Sequence, residues 1–222
     1  MDRAGYARSP PPRRLLRSRD WDRSSDRIAS RPGSDDRRVA KVSPSRSRAL
    51  TTALRTAAAA AISVRYLARP DAKVLGMIGA GHQSVFQLRA VAEQRDFERV
   101  VAWNRDPARL DRLEKAATEA GLPFERVSLD EPGAAADVIV TITSSFAPIL
   151  MDAQVKPGTH VACMGTDTKG KQEVEAALVA RASVFTDEVA QAISIGESQH
   201  AVAEGRKQEA EIAVLGAVIN GD

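Results

Sequence analysis

Along this chain, short apolar runs alternate with longer amphipathic stretches, the rhythm of an α/β fold. Val74–Ile78 is an apolar run too brief for a helix and predicts a buried strand. The same signal recurs at Arg99–Trp103, Phe124–Val127, Ala136–Ile142, His160–Met164 and Ser183–Thr186. Between these strands, helical spacing marks Val85–Val91, the stretch from Pro107 to Ala120 that Gly121 closes, and Val174–Ala180. An alanine-rich stretch from Ala49 to Leu67 predicts a helix ahead of the first strand, ended by Pro70. Gln191 to Asn220 predicts one or two amphipathic helices. The fold class expected is α/β, a Rossmann-type doubly wound parallel sheet. The expected segments are residues 1–48, 49–70, 71–190 and 191–222.

Residues 1–48 break the rhythm. Arg3, Arg8, Arg13, Arg14, Arg17, Arg19, Arg23 and Arg27 are interleaved with Ser, Pro and Asp, and Pro10-Pro11-Pro12 breaks helices, so we expect a disordered tail. The formal net charge of +3 hides an asymmetry. Residues 1–50 hold fourteen Lys and Arg against six Asp, whereas the rest of the chain is net acidic. Interspersed aspartates and the lack of a recognition motif argue against nucleic-acid binding, and acids argue against an organelle transit peptide. No apolar run is long enough to span a membrane. The single cysteine, Cys163, excludes a disulfide framework and suggests a reducing, cytoplasmic location.

The candidate chemistry gathers at predicted strand ends. Val74–Ile78 runs into Gly79-Ala80-Gly81-His82-Gln83-Ser84 and then a helix, the strand–turn–helix unit of a dinucleotide site. Gly79 allows the tight turn, Gly81 lets backbone approach a pyrophosphate at the helix N-terminus, and Ser84 replaces the third glycine. After the second strand the chain offers Asn104 and Arg105 where a carboxylate would select NAD, which favours NADP over NAD. The alternative for Arg105 is a solvated loop cation. Thr143, Ser144 and Ser145 follow the fourth strand, as cofactor neighbours or as turn residues. Gly165-Thr166-Asp167-Thr168-Lys169-Gly170-Lys171 follows the fifth, and Asp167 beside lysines suits proton transfer, or caps the next helix. His82, His160 and His200 have no partners at metal spacing, so no metal site is expected.

Three motifs in register carry a resemblance. Leu54-Arg55-Thr56-Ala57-Ala58, Lys73-Val74-Leu75-Gly76 into Gly79-Ala80-Gly81-x-Gln83, and Gly165-x-Asp167-x-x-Gly170-Lys171-x-Glu173 resemble the ornithine cyclodeaminase/mu-crystallin family. The resemblance covers residue 49 to the C-terminus. It implies an NAD(P)-dependent reaction at the α-carbon of an amino acid or cyclic imine, as in cyclodeaminases, alanine dehydrogenases and ketimine reductases. By this resemblance Arg55 meets substrate carboxylate or cofactor, His82 and Gln83 follow the pyrophosphate, and Asn104 lies at the ribose. Thr143 and Gly165 border the cofactor, Lys171 contacts it, and Asp167 is the acid/base. The family further implies a homodimer. Residues 1–48 do not resemble the family's N-terminal region, so an incomplete substrate and dimerisation domain is expected, from a truncated gene or a misread start. The alternatives are a non-catalytic NADP-binding protein of mu-crystallin type, and a fragment without function.

Overall fold

The computed structural model describes residues 44–221, with side chains from residue 49. The expectations for the Arg-rich tail lie outside the described residues. Helix α1 (Pro44–Leu67) starts ahead of the expected Ala49. Then follow β1 (Val74–Ile78), α2 (Ser84–Ala92), β2 (Arg99–Trp103), a 3-10 turn at Pro107–Leu110, α3 (Asp111–Glu119), β3 (Phe124–Arg126), α4 (Glu131–Ala135) and β4 (Val138–Thr141). The later elements are β5 (Phe146–Leu150), β6 (His160–Cys163), β7 (Gln172–Val174), α5 (Ala176–Arg181) and β8 (Val184–Thr186). α6 (Val189–Ser194), α7 (Gln199–Ala203), β9 (Ile212–Val214) and α8 (Leu215–Asn220) complete the chain.

The central sheet has the order β3-β2-β1-β4-β6, and every pairing in it is parallel. This is a Rossmann-like α/β fold, as expected. Alternation along the strands divides the core between the two faces. Leu75, Met77, Val100, Ala102, Val138 and Val140 pack with Ala60 and Val64 of α1, Leu88 and Val91 of α2, and Leu113 of α3. Ile78, Val101 and Ile139 pack on the other face with Leu150 of β5, Val174 of β7, and Leu178 and Val179 of α5. Both faces are thus covered, which is why these strands read as continuous apolar runs.

Three strands escaped the sequence reading. β5 contains Pro148 and follows a polar turn, β7 is the mostly polar Gln-Glu-Val, and β9 is three residues long. β5 pairs with β7 and β8 with β9, in two separate two-stranded sheets. The strand expected at Ser183–Thr186 is therefore not part of the central sheet. The helix expected at Val174–Ala180 begins at Ala176 because β7 occupies its start. The expected helical stretch from Gln191 to Asn220 is broken into shorter pieces, with Gly205 at a left-handed φ of 68° between them.

One buried carboxylate ties the base of the sheet. Asp137 accepts from the N–H groups of Lys73 (2.8 Å) and Val74 (3.0 Å) and from Lys156 Nζ (3.0 Å), and pairs with Arg69. Burial alone would push its carboxyl up; these backbone donors and cations instead hold it well below the usual carboxylate range. Arg95 donates to Arg69 O (3.0 Å) and Arg65 O (3.1 Å), satisfying carbonyls at the end of α1. Asp137→Asn is expected to cost about 3 kcal/mol at neutral pH, the lower end for a broken buried pair because both cations can rehydrate. A depressed carboxylate pKa contributes stability above its unfolded value and loses it as pH falls. Urea unfolding should therefore show a constant deficit at neutral pH that shrinks below about pH 4. A deficit independent of pH would mean that the charge of Asp137 is not what matters.

Candidate functional site

The strand order reverses between β1 and β4, so a crevice opens beyond their carboxyl ends. Gly79 leaves β1 there with φ of 106°, its N–H donating to Trp103 O at 2.9 Å. A Cβ on Gly79 would lie 2.5 Å from Ile142 O and 2.8 Å from Thr143 Cγ2, so only glycine allows the two loops to meet. Gly81 has the opposite surroundings, with nothing within 4 Å of where a Cβ would stand. The N–H groups of Gly81, His82 and Gln83 find no acceptor among the described residues. Open space above bare donors at the start of α2 fits a dinucleotide pyrophosphate. Ser84 is fully buried, its hydroxyl donating to Gly81 O at 2.8 Å. His82 is exposed against Phe86, whereas Gln83 Oε1 is buried without a partner.

Asn104, expected at the ribose, has a local occupation. Its Oδ1 accepts from Ala80 N–H at 2.8 Å and its Nδ2 donates to Asp106 O at 2.8 Å. It thus latches the glycine turn to the end of β2. Arg105 is exposed and forms no ion pair among the described residues. Asp106 caps the next turn, accepting from Ala108 N–H at 3.2 Å, and pairs with Arg109 at 3.3 Å.

Beyond β4 and β6 the loops converge on Glu173, which is fully buried. Its Oε1 accepts from Thr143 N–H (2.6 Å) and Thr143 Oγ1 (2.7 Å). Its Oε2 accepts from Thr141 Oγ1 (2.8 Å) and Gly165 N–H (2.8 Å). Burial pushes the Glu173 carboxyl up, and the converging donors oppose that shift. A Cβ on Gly165 would lie 2.3 Å from Thr143 O and 2.6 Å from Glu173 Oε1. Gly165 and Thr143 were expected beside a cofactor; both have a packing reason for their identity, because they join the loops. The Ser145 hydroxyl donates to Ala147 O at 2.6 Å, which is turn chemistry.

Asp167 and Lys171 stand on the loop between β6 and β7, paired at 2.6 Å. The Asp167 side chain is 74% exposed and that of Lys171 16%. The hydrogen bond from Lys171 holds the Asp167 carboxyl below its ordinary range. Asp167 does not cap a helix, since the loop leads into β7. Three residues without an assigned role in the sequence reading hold this loop. Glu197 accepts from Glu173 N–H (2.8 Å), Val174 N–H (2.7 Å) and the Thr166 hydroxyl. Gln199 Oε1 accepts from Gly170 N–H at 2.7 Å, and His200 Nε2 lies 3.2 Å from Lys171 O. They fell within the stretch expected to be amphipathic helix, where polar residues read as a solvated face. Arg55 is exposed on α1, with no hydrogen bond or ion pair among the described residues, and nothing joins it to Asp167.

Fold and crevice together define a Rossmann-like unit that carries a carboxylate–lysine pair on the loop after β6. A family model for the ornithine cyclodeaminase/mu-crystallin family matches residues 46–222, and the chain belongs to that family. It is 64% identical over 173 residues to the iminosuccinate reductase of Paracoccus denitrificans, covering 78% of this chain and 54% of that protein. The crystal structure of that reductase in complex with NAD+ matches with a TM-score of 0.77 over the same shares of the two chains. The Thermococcus litoralis Δ1-pyrroline-2-carboxylate reductase in complex with NADH and L-proline matches at 28% identity and TM-score 0.74, covering 78% and 55%. An archaeal alanine dehydrogenase dimer with bound NAD matches at 34% identity and TM-score 0.74, covering 78% and 54%. The chain spans about half the length of the curated relatives it matches. Among the described residues no helix is long and apolar enough to cross a membrane.

The Glu197 carboxyl is pushed up to about 7, by burial foremost and also by the neighbouring Glu173. A carboxyl raised in the fold favours its protonated form there, so ionisation costs stability as pH rises from its unfolded value toward 7. Glu197→Gln lacks that cost. Its thermal stability relative to the parent should improve across this interval and level off above it. A flat difference from pH 4 to 8, the range about the ordinary carboxylate value and 7, would show that Glu197 ionises as a solvated acid.

Proposed function

We propose that the chain is the nucleotide-binding part of an NAD(P)-dependent reductase that acts on the imine of an amino acid. The Asp167–Lys171 pair, held at the rim of the crevice beyond the glycine turn, is the observation that carries the reading. Within the family's range of cyclodeaminase, alanine dehydrogenase and ketimine reductase chemistry, the likeness to iminosuccinate reductase supports C=N reduction. A bound nicotinamide would supply the hydride. With its pKa lowered by Lys171, Asp167 is ionised near neutral pH. It is therefore a poor proton donor and a good partner for a cationic nitrogen. We assign it to hold a protonated imine, whose positive charge makes the adjacent carbon receptive to hydride, and to take a proton in the reverse direction. Arg55, His82, Gln83 and Lys171 are proposed contacts for substrate or nucleotide. Gly79, Gly81, Asn104, Thr143 and Gly165 shape the cradle.

The crevice admits NADH and, through Arg105, NADPH. The relatives' structures with NAD support the first. The absence of a free carboxylate after β2 supports the second, since Asp106 is occupied by capping. The homodimer proposed by likeness to the archaeal dimer is supported by Leu50, Leu54, Ile62 and Tyr66, large apolar residues exposed on α1. A reducing, cytoplasmic setting fits the lone Cys163 thiol, whose pKa burial pushes up, making it a poor nucleophile.

Titration of the full chain with NADH and NADPH, read by nucleotide fluorescence, tests the cradle. Nucleotide oxidation in the presence of an imine formed from an α-keto acid and ammonia then tests the reaction. Asp167→Asn is expected to lower turnover by at least about 100-fold with nucleotide affinity nearly unchanged. Full turnover in that variant would remove Asp167 from the reaction, and binding without turnover in the parent would support the mu-crystallin-type reading. Arg105→Ala should weaken NADPH by about tenfold while sparing NADH. An equal loss for both nucleotides would remove Arg105 from the ribose end.

A further inference from the structure

Gln199 is the buried side chain most engaged with the Asp167 loop. It is 8% exposed at the start of α7, and its amide uses both ends. Oε1 accepts from Gly170 N–H at 2.7 Å, while Nε2 donates to Lys171 O at 3.2 Å and to Gly196 O at 3.0 Å. Gly170 has φ of 85°, the left-handed bend at which the loop turns back toward β7, and no side chain of its own to fix it. The other end of the loop is held independently. Glu197 bonds the Thr166 hydroxyl and the backbone of Glu173 and Val174, and Glu173 bonds Gly165 N–H. Asp167 and Lys171 thus lie between two anchors from one segment, residues 197–199.

We propose that Gln199 is a positioning residue, whose amide fixes the Gly170 bend and so holds the Lys171 ammonium against the Asp167 carboxylate. Two features distinguish this from ordinary burial of an amide. Its bonds run to the backbone of the bend itself at Gly170 and to carbonyls on either side of it, Lys171 O at 3.2 Å and Thr168 O at 3.5 Å, and not to side chains that could adjust. The Asp167 side chain, at 74% exposure, has besides Lys171 one further hydrogen bond, from the adjacent Thr168 hydroxyl at 3.1 Å, so its register with Lys171 follows the course of the loop. His200 shares the Lys171 carbonyl but reaches neither Gly170 nor Gly196, so it cannot replace Gln199. The proposal rests on the reading of Asp167 as the reacting carboxylate for its catalytic consequence, though not for its geometry.

The test is carboxyl-detected NMR titration of Asp167 in the full chain and in Gln199→Ala, with the resonance assigned through Asp167→Asn and folding checked by thermal melting. The Asp167 midpoint, low in the parent, is expected to move up toward the ordinary carboxylate range in the variant. An unchanged midpoint in folded Gln199→Ala overturns the proposal. Should that variant not fold, Gln199→Met keeps the volume and removes every bond, and the same two outcomes decide. Where the parent turns over, Gln199→Ala should lower kcat by about 10- to 100-fold, the scale of a small misplacement, with nucleotide KM nearly unchanged. A raised nucleotide KM at constant kcat would overturn the positioning role. Absence of turnover in the parent bears on the proposed reaction alone, because the titration reads the pair without it.

Discussion

Four hydrogen-bond donors from two loops converge on one buried carboxylate, Glu173, and the crevice takes its shape from that convergence. A fully buried carboxylate would be expensive in an apolar core, and it is tolerable because both oxygens are met by donors. The donors belong to Thr141 and Thr143 at the end of β4 and to Gly165 at the end of β6. Neighbouring parallel strands are joined at their amino ends by Asp137 and at their carboxyl ends by Glu173. The ligand edge of the sheet is thus fixed by a buried carboxyl group and its donors, not only by the ladder.

That arrangement dictates small residues around it. Gly165 has no room for a Cβ because Thr143 and Glu173 already occupy the space, and Gly79 has none because the Ile142–Thr143 backbone lies against it. Of Gly79, Gly81 and Gly165, Gly81 alone faces open space. The glycines of the motif therefore divide into those that close the protein on itself and one that leaves room for something else. A second buried acid, Glu197, lies beside the first, and the mutual repulsion adds to the effect of burial on its proton affinity.

How far the sequence reveals this varies by element. β1, β2, β4 and β6 are buried on both faces, so their apolar runs are legible and their bounds fall within a residue or two of expectation. β5 and β7 pair only with each other and carry Pro148, Gln172 and Glu173, so neither alternation nor a continuous apolar run marks them. The Gly79 turn and Asp167 were visible because both belong to short motifs of fixed spacing. Glu173 stood in the quoted motif without a role, since a carboxylate in sequence does not disclose that it is buried. Glu197 and Gln199 act across some thirty residues of chain on the Asp167 loop. Nothing local distinguishes them from the polar face of a helix. Asn104 shows the converse. Its position was legible, but its bonds to Ala80 and Asp106 depend on the turn folding back over β2.

The distribution of these residues bears on what the described half of the family fold contains. The open donors after Gly81, the Arg105 cation and the Asp167–Lys171 pair all hang from the carboxyl edge of one sheet, and the side-chain hydrogen bonds that brace the Asp167 loop come from within residues 165–200. The Asp167 carboxylate is thus set by bonds local to its own loop, while α1 supports the strand beneath it, with Ser63 Oγ lying 3.2 Å from His160 Nε2 of β6. Selection of a substrate is a different matter. Arg55, the one proposed substrate contact outside this edge, is exposed on α1 and unpaired among the described residues. The glycine turn and the charge pair are therefore properties of the Rossmann unit itself, whereas Arg55 is joined to neither among the described residues.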